Sequence, residues 1–279
     1  MPRDWKRAAA SIRANVGGET LTGYLSWGLD MGGVYPCYAL PKLEGIIPNA
    51  IDLVTSIANK NQWPVAATED SSVFTAPGAL DNYTTLAFLH TTGDFLSGPE
   101  FDGLYEFLVN GGSWLGIHAA ADFGNNTPPW YTTLVGSQFK FHPCSPDWTC
   151  SDAQRERYPP GGNIRPDTIT IQDPNHPSTA GLPTRHSRTD EWYSYRDNVG
   201  SDSSNYTVLA TLDETYIDDI TPAYLRMRPT HPISWCHHAF EGRARAWYTG
   251  QGHTVETYGE EYFIRHVAGG LEWVVGAGA

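Results

Sequence analysis

The stretch "GGSWLGIHAAAD", Gly111 to Asp122, runs from a glycine pair through a short apolar segment to a histidine and three alanines. The apolar segment is too short for a helix and is bounded by glycine, so it reads as a strand buried on both faces. The alanines that follow let a helix start close against the sheet, a strand–turn–helix elbow with His118 at its tip. Upstream, "TTLAFLH" (84–90) is a second strand of the same kind. Between the two lies "SGPEFDGLYEFLVNGG", in which Ser97 and Glu100 have capping-box spacing, Phe101, Leu104 and Leu108 share one face, and Gly111 is the stop. Strand, helix, strand with nearly continuous hydrophobic strands is a parallel βαβ unit, and the fold class is α/β.

The pattern continues in both directions. Ile51, Val54 and Ala58, with Ile57 beside them, recur at helical spacing from Asn49 onward. "DTITIQD" (167–173) and "TVLATLD" (207–213) alternate as strands. "PISWCHHAF" and "ARAWYTG" form a late hairpin through Glu241 and Gly242, and Ile264, Val267, Leu271 and Val274 mark a closing helix. Two long Pro- and Gly-rich connections, 143–166 and 214–232, are expected to frame a cleft. At 279 residues the chain is expected to form one domain, 1–279.

The formal net charge of −13 has the wrong sign for gripping nucleic acid or an anionic membrane, so neither is expected as a partner. Ten Trp and 15 Tyr offer rings that pack a core or stack on the apolar faces of sugars. Cys144 and Cys150 either close a small loop or stay reduced, and no CxxC pair suggests a zinc ribbon. No apolar run of about 18 residues is present, and the basic start lacks an apolar signal region, which predicts a soluble, cytoplasmic chain. Its atypical composition leaves secretion open, and only then would the sequons at Asn82, Asn125 and Asn205 matter. No GxGxxG, GxxxxGK[ST] or GxSxG motif occurs.

In open α/β sheets ligands bind outside the carboxyl ends of the strands, which is where His118 stands. His253, in the loop after the "ARAWYTG" strand, is expected to converge on it. If both act on one small substrate, they should lie within about 8 Å of each other and of Glu191 or Asp190. On an extended chain Asp190 and Glu191 point opposite ways, with Glu191 favoured inward. His118, His253, Glu191 and Asp190 are the candidate catalytic residues. His118, His142, His253 and Glu191 are also candidate ligands for a divalent metal, although no local HExxH-type signature supports one. Candidate substrate-binding residues are His142, His237, Thr92, Asp122 and the rings of Trp130, Tyr131, Trp192 and Tyr193. His90 ends its strand at the same sheet edge, Asp94 reads as a helix cap, and His231 as structural.

"AFLHTTGD", "GGSWLGIHAAAD", "PPWYTTLVGSQFKFHP", "DPNHPSTAGLP", "TDEWYSY", "HPISWCHHAFEGRARAWYTGQGHTVETY" and "FIRHVAGGLEWVVG" follow one another in the order of the trehalose-utilisation (ThuA-like) family, which the chain resembles from about Ile47 to its end. The resemblance implies a three-layer α/β/α sandwich with a mostly parallel sheet, flavodoxin-like and similar to the class I glutamine amidotransferases. "GIHAA" (116–120) looks like their nucleophile turn with His118 in the cysteine position, and His253 follows a late strand as their catalytic histidine does. Without the thiol, glutaminase chemistry has no nucleophile and is not expected. The family's first strand has only a degraded counterpart in "TLTGYLSW" (20–27), so residues 1–46 are atypical and 24–44 read as an insertion or a gene-model error.

The resemblance implies a role in catabolism of disaccharides or glycosides, including 3-keto sugars. One reading is an enzyme, a hydrolase, lyase or isomerase working by acid–base or metal-assisted chemistry. The other is a non-catalytic sugar-binding or accessory protein using the same aromatic rings. Both take a small-molecule carbohydrate as partner and leave homo-oligomerisation open.

Overall fold

The computed structural model describes residues 11–16, 19–24, 43–68, 70–144, 149–219 and 221–276. In chain order the first half contains β1 (Ser11–Val16), β2 (Glu19–Tyr24), α1 (Leu43–Lys60), β3 (Thr85–Leu89), β4 (Thr92–Gly93), α2 (Gly98–Val109), β5 (Ser113–Ile117) and β6 (Asp122–Phe123). Then come α3 (Pro129–Val135), β7 (Phe139–Phe141), α4 (Asp152–Arg157), β8 (Ile164–Ile171), β9 (Arg185–Glu191) and β10 (Ser194–Tyr195). The last are β11 (Thr207–Leu212), β12 (His231–Ala239), β13 (Ala244–Thr249) and α5 (Glu261–Val275).

The βαβ unit forms as its sequence predicts. Ser97 N donates to Glu100 Oε2 (2.6 Å) at the start of α2, and Phe101, Leu104 and Leu108 are buried. β3 and β5 pair in parallel, with Leu86 opposite Trp114 and Leu89 opposite Ile117. Period-two alternation divides their side chains between two faces. Leu86, Phe88 and Trp114 join the cluster that holds α2 and α3, whereas Ala87, Leu89, Leu115 and Ile117 pack with α1 and α5. Helices therefore cover both faces of the sheet. On α5, Phe263, Val267 and Leu271 are fully buried, each contributing about 1.5–3 kcal/mol.

Three local readings need adjustment. The run Ala119–Ala121 does not open a helix but makes one 3₁₀ turn, His118–Ala121, because Asp122 and Phe123 leave it to pair in parallel with Thr92 and Gly93. The first long helix begins at Leu43 rather than Asn49, carried past Pro48 by the burial of Ile46 and Ile47. Asp94 does not cap α2; its carboxylate accepts from Asn126 N and Nδ2. As for the expected first strand, β2 lies parallel beside β3, with Tyr24 opposite Phe88. Most of segment 24–44, residues 25–42, lies outside the described residues.

The nine-stranded sheet has the order β1-β2-β3-β5-β13-β12-β11-β8-β9. Its centre, β2-β3-β5-β13, is parallel, and the hairpin β12–β13 begins an antiparallel extension through β11 and β8 to β9. The alternation returns β9 to the direction of β5, so both present their carboxyl ends at the same pole. β9 lies five strand positions from β5, about 24 Å in a flat sheet. Yet His118, which follows β5, has Nε2 3.3 Å from the carbonyl oxygen of Glu191 at the end of β9. The sheet is therefore strongly curled. Register shifts between Val208 and Ala210, and between Ala210 and Thr211, mark bulges where β11 meets β12, and bulges bend strands and increase twist. Among the described residues no helix is long and apolar enough to cross a membrane.

Candidate functional site

The curl gathers four strand ends. His90 follows β3, His118 follows β5, Glu191 closes β9, and His253 lies four residues beyond β13. His90 and His118 both adopt positive φ (58° and 50°), so each chain turns sharply as it leaves the sheet. His90 N donates to the Ile117 carbonyl (3.2 Å), and Tyr248 Oη donates to the His118 carbonyl (2.8 Å), which ties both turns to the strands. Gly252, at φ 119°, permits the approach to His253; a Cβ there would stand 3.0 Å from Ile117 Cγ2 and from Tyr258 Oη.

Glu191 is the centre. Its Oε2 lies 3.1 Å from His253 Nδ1 and 3.8 Å from His118 Nε2. Its Oε1 lies 3.6 Å from His142 Nδ1 and accepts from Asn163 Nδ2 (2.5 Å). The side chains of Glu191 and His118 are 4 % and 1 % exposed against 12 % for His253 and 21 % for His142, so access runs past the last two. The ring centroids of His118 and His253 are 5.0 Å apart, inside the separation that one small substrate allows. Tyr193 packs on His118 (4.1 Å) and lies parallel to His142 (13°), walling this side.

Electrostatics divides these groups. Burial disfavours the charge on Glu191, but the imidazoles of His142 and His253 outweigh it and hold the carboxyl well below its ordinary range. Burial, reinforced by His253, pushes His118 well below the usual imidazole range and His90 down to about 3. The site thus presents an ionised carboxylate beside two neutral imidazoles. Asp122, whose Oδ2 accepts from Thr92 Oγ1 (2.8 Å), is raised by burial.

Asp190 points away from the imidazoles. Its Oδ1 accepts from Glu191 N and His253 N (both 3.0 Å), and its Oδ2 accepts from Gly252 N (2.8 Å) and Arg188 Nη1 (2.8 Å). It pins the end of β9 to the loop after β13. The assignment of Asp190 as a catalytic group is corrected accordingly: these donors occupy both of its oxygens, and it positions His253 and Glu191.

Four proposed ligand contacts also fall elsewhere. Trp192 is fully buried, its Nε1 donating to the Arg165 carbonyl (2.7 Å). Tyr131 is fully buried among Phe88, Phe95, Phe101 and Phe123. Trp130 packs on Phe101, Tyr105 and Phe240, and Phe240 lies in the hairpin turn before β13, at the opposite pole. His237 is bonded through Nε2 to the Leu134 carbonyl (2.8 Å) and packs on Tyr206. Hydrophobic packing claims these rings, so none offers a face to a sugar at the carboxyl pole. His231 contacts Glu214 (3.0 Å) and the Tyr193 carbonyl (2.8 Å), supporting the wall of the site.

Three neighbours were not assigned from sequence. His90 lies 5.4 Å from His118, ring to ring, with Nε2 2.7 Å from Tyr258 Oη; its place at a strand end was the available signal. Asn163 sits in a connection without a motif, and Tyr258 lies in the 3₁₀ turn Val255–Gly259 as the last residue of the quoted block that starts at His231. His118, Glu191 and His253 each offer one ligand atom, all within 4.8 Å of one another, a donor set suited to a divalent ion such as zinc. Cys144 and Cys150 form a disulfide two residues beyond His142.

Among solved structures, the chain is similar to a ThuA-like protein from Bacteroides uniformis ATCC 8492, with a TM-score of 0.65 and 19 % identity, covering 86 % of this chain and 89 % of that one. It is also similar to a ThuA-like protein from Parabacteroides merdae ATCC 43184, with a TM-score of 0.49 and 17 % identity over 74 % of each chain. No curated protein matches its sequence. The model of the trehalose-utilisation family, ThuA, matches residues 43–274, and the chain belongs to that family.

Proposed function

We propose that the protein acts on a disaccharide or glycoside, in its parent or 3-keto form, by proton transfer at the carboxyl pole of the sheet. The buried, ionised Glu191 ringed by imidazoles carries this reading, because it places a charged acceptor and proton-exchanging groups around one small volume. His253, the more exposed of the pair at 3.1 Å, is the group that exchanges a proton with substrate, and Glu191 stabilises the imidazolium formed. His118 faces the same volume and holds the substrate oxygen. Such a set abstracts a proton next to a carbonyl or protonates a glycosidic oxygen.

The His118, Glu191 and His253 donor set favours a second reading, in which a divalent ion polarises that oxygen instead. A panel of disaccharides and their 3-keto forms, assayed with and without chelator, separates the two. Proton transfer by the residues alone predicts chelator-resistant turnover that falls about 10²–10⁴-fold in His253→Ala. Chelator-sensitive turnover establishes the metal reading. Saturable binding without turnover, lost in His118→Ala, would replace both with a sugar-binding module.

A further inference from the structure

A cleft of about 1010 Å³ adjoins the imidazole cluster, at the upper end of the 300–1,000 Å³ range of ligand pockets. It shares two residues with the cluster, His253 and Asn163. A ligand whose reacting end sits at His253 therefore has room to continue along this cleft.

The lining has a definite chemistry. Pro159 and Pro160 come from the connection into β8, Ile164 from the start of that strand, and Val255 and Tyr262 from the turn after His253 and from α5. His186 lies flat on Tyr262 (4.2 Å, 8°) with its side chain 30 % exposed, which offers a planar ring face. The charged groups are Glu256, Glu260 and Glu261 against Arg188, with the His186 imidazole beside them. Arg188 is committed to Asp190, Thr257 and Glu260, and His186 lies 3.7 Å from Glu260. Three carboxylates stand against the Arg188 guanidinium along this lining, and Arg188 and His186 both face carboxylates. A phosphoryl or carboxylate group on the ligand would meet repulsion without a compensating partner, whereas a flat apolar group would meet proline, aliphatic and aromatic surface.

We propose that this cleft is an aglycone subsite, and that the protein takes glycosides with a flat, apolar aglycone while rejecting those whose aglycone carries an anionic group. This deepens the reading of the cluster as the reacting centre and rests on it for the placement of the sugar.

The test is calorimetric, on the full chain, with methyl glucosides, 4-nitrophenyl glucosides and 4-carboxyphenyl glucosides, each as both anomers. The nitrophenyl glucoside is expected to bind at least tenfold more tightly than the methyl glucoside and at least tenfold more tightly than the carboxyphenyl glucoside. In Val255→Asp the aryl-to-methyl ratio is expected to collapse toward one. Val255 is 43 % exposed, so the variant keeps its fold, which a thermal melt checks. Equal aryl and methyl affinities, an aryl preference untouched by Val255→Asp, tighter binding of the carboxyphenyl glucoside, or no binding of any glucoside would overturn the proposal. The two readings fail separately. Turnover indifferent to the aglycone removes the subsite and leaves the reacting centre. An aryl preference lost in Val255→Asp without turnover keeps the subsite and removes the reaction.

Discussion

Alternation along β9 turns Asp190 and Glu191 to opposite sides, and the two carboxylates do different work. Asp190 is fully buried and partners Arg188, itself 2 % exposed in its side chain, while accepting from three backbone N–H groups. Asp190→Asn removes the charge opposite a buried guanidinium and turns an NH₂ toward donors. We expect a loss of about 3–5 kcal/mol in denaturant unfolding, the cost of breaking a buried ion pair. A loss below about 1 kcal/mol would show that Glu260 alone satisfies Arg188. At this scale His118 and His253 were legible in the sequence, because both follow strands of the α/β sheet, and Glu191 was legible only as the residue that alternation turns away from Asp190. Which aromatic rings stay open was not legible. The choice of Trp192 and Tyr131 for the core depends on packing across more than one element, which local pattern does not encode.

Among the elements, the connection 143–166 has the most to do with the site. His142 precedes the disulfide, and Asn163 follows Gly162, whose Cβ would lie 2.7 Å from Cys144 Sγ and 3.2 Å from Cys150 Sγ. Arg165 Nη2 reaches Cys150 Sγ at 3.3 Å, and its Nε donates to the Gly162 carbonyl. Both groups that touch Glu191 Oε1 thus hang on one covalent clasp. Reduction, or Cys150→Ser, should raise KM about tenfold and lower stability by about 2 kcal/mol, as opening so short a loop implies. Kinetics and melts with and without reductant check this, and an unchanged KM would mean that α4 and Arg165 hold the segment unaided. The helices and hairpin were readable from capping, periodicity and turn residues. The 3₁₀ turn after His118 was not, since it is imposed by the pairing of Asp122 with Thr92, thirty residues away.

For the whole molecule, buried imidazoles set the response to acid. Burial holds His90 down to about 3 and His266 to about 4. The unfolded chain binds those protons below about pH 6.5 and the folded one does not, so stability is full above about 6.5 and is lost as pH falls toward 3–4. Glu214 acts in the same direction at lower pH. Burial opposes its charge, but hydrogen bonds from His231 and Arg228 outweigh this and hold it down at about 2, so its contribution is present above about 4.5 and fades toward 2. Melts across pH 4–8 should lose on the order of 5 kcal/mol between pH 7 and 4; a flat profile would sink this account. The parallel centre of the sheet was legible from its apolar runs. The curl was not, because it arises from cumulative twist and from bulges that carry no motif.

That curl makes the bulge at Leu209 a lever. Leu209 lies on β11, apart from the imidazole cluster, yet β8 and β9, the strands beyond it from β5, inherit the bend there. Shortening β11 by one residue would leave His118, Glu191 and His253 chemically intact and swing the carboxylate away from the rings. The alignment of His118, Glu191 and His253 is a property of sheet curvature, so it can be tuned or lost from a position that a map of the site would pass over.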